Sequence, residues 1–274
     1  MSRSWKHNAL TPKLGSEITG LDLANLPEAD VQAIRELFLE RMVLVFRDQD
    51  LTPEEHKAFG RHFGSLHSHP SKRMLGAGGD PEIFQVKATP KSKHANGEAW
   101  HNDLSCEAEP PLGSALYMRE LPSVGGDTLF ANMYEAYDTL SVPIQELLIS
   151  LTAFHDGRKD LANYGVTLKP GQDYPRATHP VAPFHPETGR RALFVNPSFT
   201  VRIEELEAKE SEALLQFLYE LVPNQPRIHC RVRWAPGTVV FWDNRCLQHH
   251  AIWDYYPETR CGDRVTIQGS ALAG

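Results

Sequence analysis

The sequence predicts a mainly β protein, a sandwich or jelly roll with helices packed on its outside, built as a single domain. Short β-rich stretches recur through the chain, and Gly and Pro punctuation such as Pro122 to Gly126 and Ala235-Pro236-Gly237 separates them. That pattern favours sheets joined by turns over a parallel sheet whose strands alternate with helices. No internal repeat, low-complexity tract or linker divides the 274 residues.

The elements follow in order. Pro27 to Met42 carries Val31, Ile34, Phe38 and Met42 near a 3.6-residue period, with Pro27 where a first-turn proline is tolerated, and predicts an amphipathic helix. Val43 to Phe46 is a short apolar strand, and Thr52-Pro53-Glu54-Glu55 reads as a capping box opening a second helix. Extended segments are predicted at Glu82–Val86, Ser114–Met118, Thr128–Phe130, Ala192–Val195, Arg227–Trp234, Thr238–Trp242, Leu247–Trp253 and Arg264–Gln268. Helices are predicted at Met133–Leu140, Val142–Thr152 and Ala208–Val222. Asp156 to Pro183 is rich in Gly, Pro, Asp and Lys without a period, which predicts a mobile loop or an active-site lid.

Composition narrows the function. Hydrophobic residues at 41% and charged residues at 23% are ordinary globular values, so disorder is excluded as the main state. The net charge of −7 opposes the cationic excess of a phosphate-backbone binder, so nucleic acid is not an expected partner. No apolar run approaches the ~18 residues that span a bilayer, and Met1 to Asn8 lacks a signal-peptide core. No membrane association and a cytoplasmic location are expected. Cys106, Cys230, Cys246 and Cys261 stand singly, without the CxxC pair of a zinc ribbon or thioredoxin motif, and read as reduced thiols.

Four constellations could carry chemistry. In Trp100-His101-Asn102-Asp103, residues two apart share a face in an extended segment, so His101 and Asp103 can present an imidazole and a carboxylate to one point. That spacing alone is common in structural contexts. In Gln248-His249-His250-Ala251, alternation sends the two histidines to opposite faces, so one of them can point inward. Two imidazoles and one carboxylate form the facial triad that leaves open positions on Fe(II). Arg260 and Arg264 are suited to gripping carboxylates, although in isolation they read equally as solvated surface residues. Gly125-Gly126-Asp127-Thr128 is a glycine turn feeding a strand that starts with a hydroxyl.

Taken together, His101-x-Asp103, Thr128, His249 and Arg260, in that order and at those separations, resemble the taurine dioxygenase and 2,4-dichlorophenoxyacetate dioxygenase (TauD/TfdA) family of Fe(II)- and 2-oxoglutarate-dependent oxygenases. Phe63 to Pro70, Leu121 to Leu129, Leu193 to Asn196 and Trp242 to Arg245 match as well, and the resemblance runs from about Gly15 to Gly269. It implies a double-stranded β-helix, the cupin-like form of the jelly roll. It implies His101, Asp103 and His249, rather than His250, as iron ligands, and Thr128 and Arg260 on the distal carboxylate of 2-oxoglutarate. Arg264 then lies near the metal-bound carboxylate or the substrate's anionic group. The implied reaction uses dioxygen to convert 2-oxoglutarate to succinate and CO2 while a small organic substrate is hydroxylated. Because Asp103 is present where halogenating relatives carry a small residue, hydroxylation is expected.

The resemblance also implies a substrate pocket. His69 matches the sulfonate-contacting position of the taurine enzyme and would share an anion with Arg264 and the backbone N–H of Leu104. Phe199 keeps an aromatic wall, Asn96 adjoins Gly97 at the position of a pocket amide, and Leu161 falls near a wall phenylalanine. Lys72 falls near the aromatic that helps hold the taurine amine, and a cation there is a poor neighbour for an ammonium. The expected substrate is therefore another sulfonate, a sulfate ester or a carboxylate with an apolar body. A homodimer or homotetramer is expected by family analogy. Two competing readings remain open at this point, a cupin-like Zn(II) hydrolase or isomerase and a non-catalytic iron and 2-oxoglutarate sensor. The Thr128 and Arg260 pair discriminates against the first, since a hydrolase has no need of a carboxylate clamp behind its metal.

Overall fold

The protein is described by a computed structural model covering residues 5–75, 79–162 and 168–274. The chain opens with two short strands, β1 (Lys6–Ala9) and β2 (Ser16–Thr19), followed by helix α1 (Glu28–Arg41) and strand β3 (Val43–Phe46). Helix α1 buries Ile34, Leu37 and Phe38, and Met42 ends it in a left-handed conformation whose N–H bonds to the Phe38 carbonyl. Helix α2 (Pro53–Arg61) starts at the capping box: Glu55 N–H donates to Thr52 Oγ1, and the Glu55 carboxylate accepts the Thr52 N–H. Helix α3 (Pro70–Leu75), strand β4 (Ile83–Ala88), strand β5 (Gly113–Glu120), strand β6 (Thr128–Asn132), helix α4 (Met133–Asp138) and helix α5 (Val142–Ile149) come next. Strand β7 (Thr152–Asp156), helix α6 (Arg158–Leu161), strand β8 (Arg176–Pro180), strand β9 (Thr200–Ile203) and helix α7 (Ala208–Leu221) precede a closing run of four strands. These are β10 (His229–Val232), β11 (Val239–Asp243), β12 (Leu247–Ala251) and β13 (Arg260–Ile267).

Among the described residues the strands form three sheets. The largest has the order β1-β2-β3-β11-β5-β13-β4, and its pairings are antiparallel except for β2 on β3. The second has the order β10-β6-β12 and the third β8-β7-β9, both antiparallel. On one side of the large sheet Phe38 stacks on Phe241 with ring centroids 4.1 Å apart, and Phe46, Phe59 and Phe63 complete an aromatic core under α1 and α2. The other core, which includes Val43, Leu116, Phe130, Trp242 and Leu247, joins the large sheet to the second one. Residues of β4, β5 and β13 and residues of β6 and β12 line a single cavity, which therefore lies between those two sheets.

Several segments depart from the sequence reading. Strands β1, β2, β7, β8 and β9 have no counterpart among the predicted elements. Ala192–Val195, predicted as a strand, is fully buried but pairs outside any ladder, with Leu193 N–H bonded to the Met133 carbonyl and Phe194 N–H to the Val181 carbonyl. The helix predicted to run from Val142 to Thr152 ends at Ile149, and Thr152 already begins β7. Asp156 to Pro183 is not a loop throughout, because it contains the end of β7, helix α6 and strand β8, whose backbone is satisfied by pairing with β7. Residues 163–167 of that segment lie outside the described residues. None of the described helices is long and apolar enough to cross a membrane.

Candidate active site

The site is built where the segment before β5 crosses β12. His101 and His249 form an antiparallel bridge, with His101 N–H to His249 carbonyl at 3.1 Å and His249 N–H to His101 carbonyl at 2.9 Å. A bridge of this kind holds both imidazoles on one face, and their ring centroids lie 4.1 Å apart. Asp103, two residues on, brings Oδ1 to 3.8 Å from His101 Nε2 and 3.9 Å from His249 Nε2. Ligand bonds of ~2.0–2.2 Å allow two atoms on one ion to stand up to roughly twice that distance apart, so the three atoms fit around a single cation. His101 Nδ1 is taken by the Ala99 carbonyl at 2.8 Å, which leaves Nε2 with the lone pair. Gly97 permits this arrangement: its φ is +81°, and a Cβ there would come within 3.0 Å of His101 Cε1. His250 turns the other way, against Trp100.

Electrostatics keeps Asp103 and His249 ready for a metal. Burial alone would raise the Asp103 carboxyl, but the guanidinium of Arg264, whose Nη1 donates to Oδ1 at 2.5 Å, holds it well below the usual carboxylate range. Ser114 Oγ donates to the other oxygen at 3.1 Å. Burial, reinforced by His101, pushes His249 far below the usual histidine range, so its imidazole is neutral.

Two asparagines that the sequence reading did not assign a role hold this segment. Asn102 Nδ2 donates to the carbonyls of Asn244 (3.0 Å) and Leu247 (2.7 Å). Asn244 accepts the Asp103 N–H at 2.6 Å and donates to the carbonyls of Asp103 and Pro111. Their positions follow from the β11–β12 turn, whose fold is fixed by a buried fork: Arg245 binds both oxygens of Asp243, at 2.9 and 2.7 Å, and His185 Nε2 lies 3.1 Å from Asp243 Oδ2. The one available signal was Asn244 in the polar turn that follows the apolar strand β11.

Thr128, Arg260 and Arg264 line the same cavity as the His-Asp-His group. Arg260 is 4% exposed and forms no ion pair among the described residues. Its Nη2 donates to Thr128 Oγ1 at 3.3 Å, its guanidinium lies 5.5 Å from the Trp234 ring, and its Nε is buried without a partner. Trp234 Nε1 also donates to Thr128 Oγ1, at 3.1 Å, so that oxygen is filled as an acceptor and the hydroxyl proton is directed elsewhere. A desolvated cation beside an outward-aimed hydroxyl is a receptor for a carboxylate.

His69, Asn96, Leu104 and Phe199 line the cavity as well. His69 is buried, with Nδ1 2.6 Å from Ser71 Oγ and its ring stacked on Phe84 at 4.1 Å. Leu104 adopts φ +48°, a region that side-chain-bearing residues seldom occupy, and this turns the chain against the cavity. Lys72 and Leu161 are not brought to the cavity. Lys72 follows the turn into α3 and leaves its Nζ beside Gly79, and Leu161 is fully buried on the inner side of α6. The residue that α6 presents instead is Asp160.

Comparison with known proteins decides the family. The family described as "Taurine catabolism dioxygenase TauD, TfdA family" matches residues 6–268. The chain belongs to the TauD/TfdA family. Among TauD/TfdA relatives, it is 36% identical to the α-ketoglutarate-dependent sulfonate dioxygenase of Saccharomyces cerevisiae, over 96% of this chain and 66% of the yeast protein. It thus spans a little under two thirds of that relative's length. It is 31% identical to the α-ketoglutarate-dependent sulfate ester dioxygenase of Pseudomonas putida, over 96% of this chain and 89% of that protein. A taurine dioxygenase from Burkholderia xenovorans superposes with a TM-score of 0.83 at 32% identity, covering 99% of this chain and 93% of that one.

Proposed function

We propose that this chain is an Fe(II)- and 2-oxoglutarate-dependent dioxygenase that hydroxylates a small organic anion, a sulfonate, sulfate ester or carboxylate. The observation that carries the reading is Arg260: a buried guanidinium without a carboxylate partner, set with Thr128 in the cavity that also holds two imidazoles and a carboxylate. Bound iron with 2-oxoglutarate would supply the oxidising power, because dioxygen is consumed as 2-oxoglutarate becomes succinate and CO2, and one oxygen atom passes to the substrate. His101, Asp103 and His249 would hold the metal on one face and leave the opposite face for ligands. Arg260 and the Thr128 hydroxyl would fix the distal carboxylate of 2-oxoglutarate, so that its reactive end is presented to the ligand set. His69, the Leu104 backbone and Arg264 would orient the substrate's anionic group. Phe199 and Phe84 cover apolar parts of the ligand and exclude water.

The relatives' activities on sulfonates and sulfate esters support this substrate class. We take the architecture as a double-stranded β-helix, a reading supported by antiparallel pairing between strands distant in sequence, with β11 between β3 and β5 and β13 between β5 and β4. A Zn(II) hydrolase would leave the Thr128 and Arg260 receptor without a use. The test is succinate release from 2-oxoglutarate with Fe(II) and a panel of alkanesulfonates, alkyl sulfates and aryloxycarboxylates. For the sulfonates and sulfates, hydroxylation at the carbon that bears the sulfonate or the sulfate-ester oxygen gives an unstable product that collapses to an aldehyde with loss of sulfite or sulfate, so that release should match succinate. Turnover of a panel compound that needs neither 2-oxoglutarate nor dioxygen and releases no succinate would overturn the proposal.

A further inference from the structure

The glycine turn that leads into Thr128 is clasped at three points by residues 252–259, which join β12 to Arg260 at the start of β13. Ile252 N–H donates to the Asp127 carbonyl at 3.0 Å. Asp254 Oδ1 accepts the Gly126 N–H at 2.7 Å, and the Glu258 carboxylate accepts the N–H and the hydroxyl of Ser123, both at 2.8 Å. Thr128 and Arg260, 132 residues apart in the chain, are thereby held at a fixed separation. Tyr255 sits in the middle of the clasp. It is 4% exposed, packs against Ala88, Ala95 and Trp253, and its hydroxyl meets the Arg260 guanidinium. Ala88 is the β4 partner of Arg260, so the tyrosine lies beside the backbone that carries the arginine. A guanidinium has no acceptor, so the phenol oxygen accepts. Gly126 allows the approach: its φ is +71°, and a Cβ there would stand 3.2 Å from both Arg260 Cδ and Tyr255 Cδ1.

We infer that Tyr255 is a positioning residue whose phenol aims the Arg260 guanidinium at the distal carboxylate of the cosubstrate, and so sets the preference for 2-oxo acids that carry a second carboxylate. The inference rests on the dioxygenase reading of the cavity and adds a residue that acts at one remove. Tyr255 does not line the cavity that Thr128 and Arg260 line, so it reaches a ligand only through Arg260. An arginine side chain that is free to rotate loses that freedom when it grips a carboxylate, and the loss weakens binding. Here Thr128, the Trp234 ring and Tyr255 restrain the guanidinium before any ligand arrives.

The test compares two cosubstrates that differ only at the far end. Under anaerobic conditions the Fe(II)-loaded protein is titrated with 2-oxoglutarate and with 2-oxopentanoate, which keeps the carbon skeleton and has a methyl in place of the distal carboxylate. The visible chelate band gives each Kd, for the native chain and for Tyr255→Phe. Phenylalanine keeps the ring and its packing, and an unchanged Fe(II) affinity shows that the site is folded. The expected result is that 2-oxoglutarate binds about three- to tenfold more weakly in Tyr255→Phe, as one orienting hydrogen bond is lost, whereas 2-oxopentanoate changes less than about twofold. Gly126→Ala, whose methyl presses between Tyr255 and Arg260, should give the same selective loss, and it decides the matter by the same comparison if Tyr255→Phe does not fold. Equal weakening of both acids, or an unchanged 2-oxoglutarate Kd, would overturn the inference while leaving the dioxygenase reading intact. Failure of the native chain to form a chelate band with 2-oxoglutarate would overturn the dioxygenase reading itself.

Discussion

Replacing Arg260 by Met separates ligand binding from folding, because the two should move in opposite directions. Arg260 is 4% exposed, has no ion pair among the described residues, donates to Thr128 and also interacts with the Tyr255 hydroxyl. Removing it costs those contacts and its interaction with Trp234, about 1–2 kcal/mol, and relieves a desolvation penalty that is itself several kcal/mol. The ligand-free protein should therefore be as stable as the native chain or more so by about 2 kcal/mol. Binding of 2-oxoglutarate should suffer, since a guanidinium fork makes two charge-assisted hydrogen bonds to a carboxylate, each worth about 1.5–3 kcal/mol. The sum corresponds to roughly a 10²- to 10⁴-fold loss of affinity. Arg260→Lys keeps the charge without the fork and should fall between. Calorimetric titration with 2-oxoglutarate in the presence of Fe(II), and thermal unfolding of the metal-free protein, measure the two effects. A change in 2-oxoglutarate affinity below about threefold, or a large loss of ligand-free stability, would refute the assignment of Arg260 as an unsatisfied carboxylate receptor.

Further outcomes follow from the same geometry. Asn244→Ala should destabilise the metal-free protein by about 3–5 kcal/mol in urea unfolding, because three buried hydrogen bonds are lost and the Asp103 N–H is stranded. Its Fe(II) affinity should fall about tenfold or more as Asp103 loses its support. Gly97→Ala should cost about 1–3 kcal/mol, since φ +81° is strained for alanine and the added methyl presses on His101, and calorimetry should show weaker Fe(II) binding. His56 is fully buried, and desolvation lowers its pKa to about 4. As a base whose folded pKa lies below its unfolded one, it contributes stability that is complete above pH ~6.5 and lost as the pH falls to about 4, at most about 3 kcal/mol. His56→Gln should flatten that part of the pH dependence in guanidinium unfolding, and an unchanged profile would remove His56 as a cause.

How far the sequence carried can be judged residue by residue. His101 and Asp103 were legible as a pair that can share one face, and alternation placed His249 and His250 on opposite faces, but it was the family resemblance that singled out the HxD pair and chose His249. The capping box at Thr52 and the α1 stripe were equally local signals. Strand β1 carried none: Lys6–Ala9 is exposed along its length and is a strand only because β2 lies beside it. Strands β7 and β9 depend on each other, and Thr152 was absorbed into a helical period that Ser150 in fact closes. Lys72 shows the limit of matching positions along a chain. A position can correspond while the local turn sends its side chain elsewhere, here to Gly79. Asp160 shows the converse, since a short helix after β7 brings a carboxylate to the cavity from a segment with no periodic pattern. The unpaired state of Arg260 depends on every neighbour at once, so only the folded structure could reveal it.

The central claim is that the His101, Asp103 and His249 group and the Thr128 and Arg260 pair form one receptor for Fe(II) chelated by 2-oxoglutarate. An anaerobic titration of the metal-free protein with Fe(II) and then 2-oxoglutarate, followed by visible absorption, tests it most directly. A charge-transfer band that requires both additions, saturates at one equivalent per chain and vanishes in His249→Ala is the expected result. One bound metal per chain with no band on adding 2-oxoglutarate would contradict the claim.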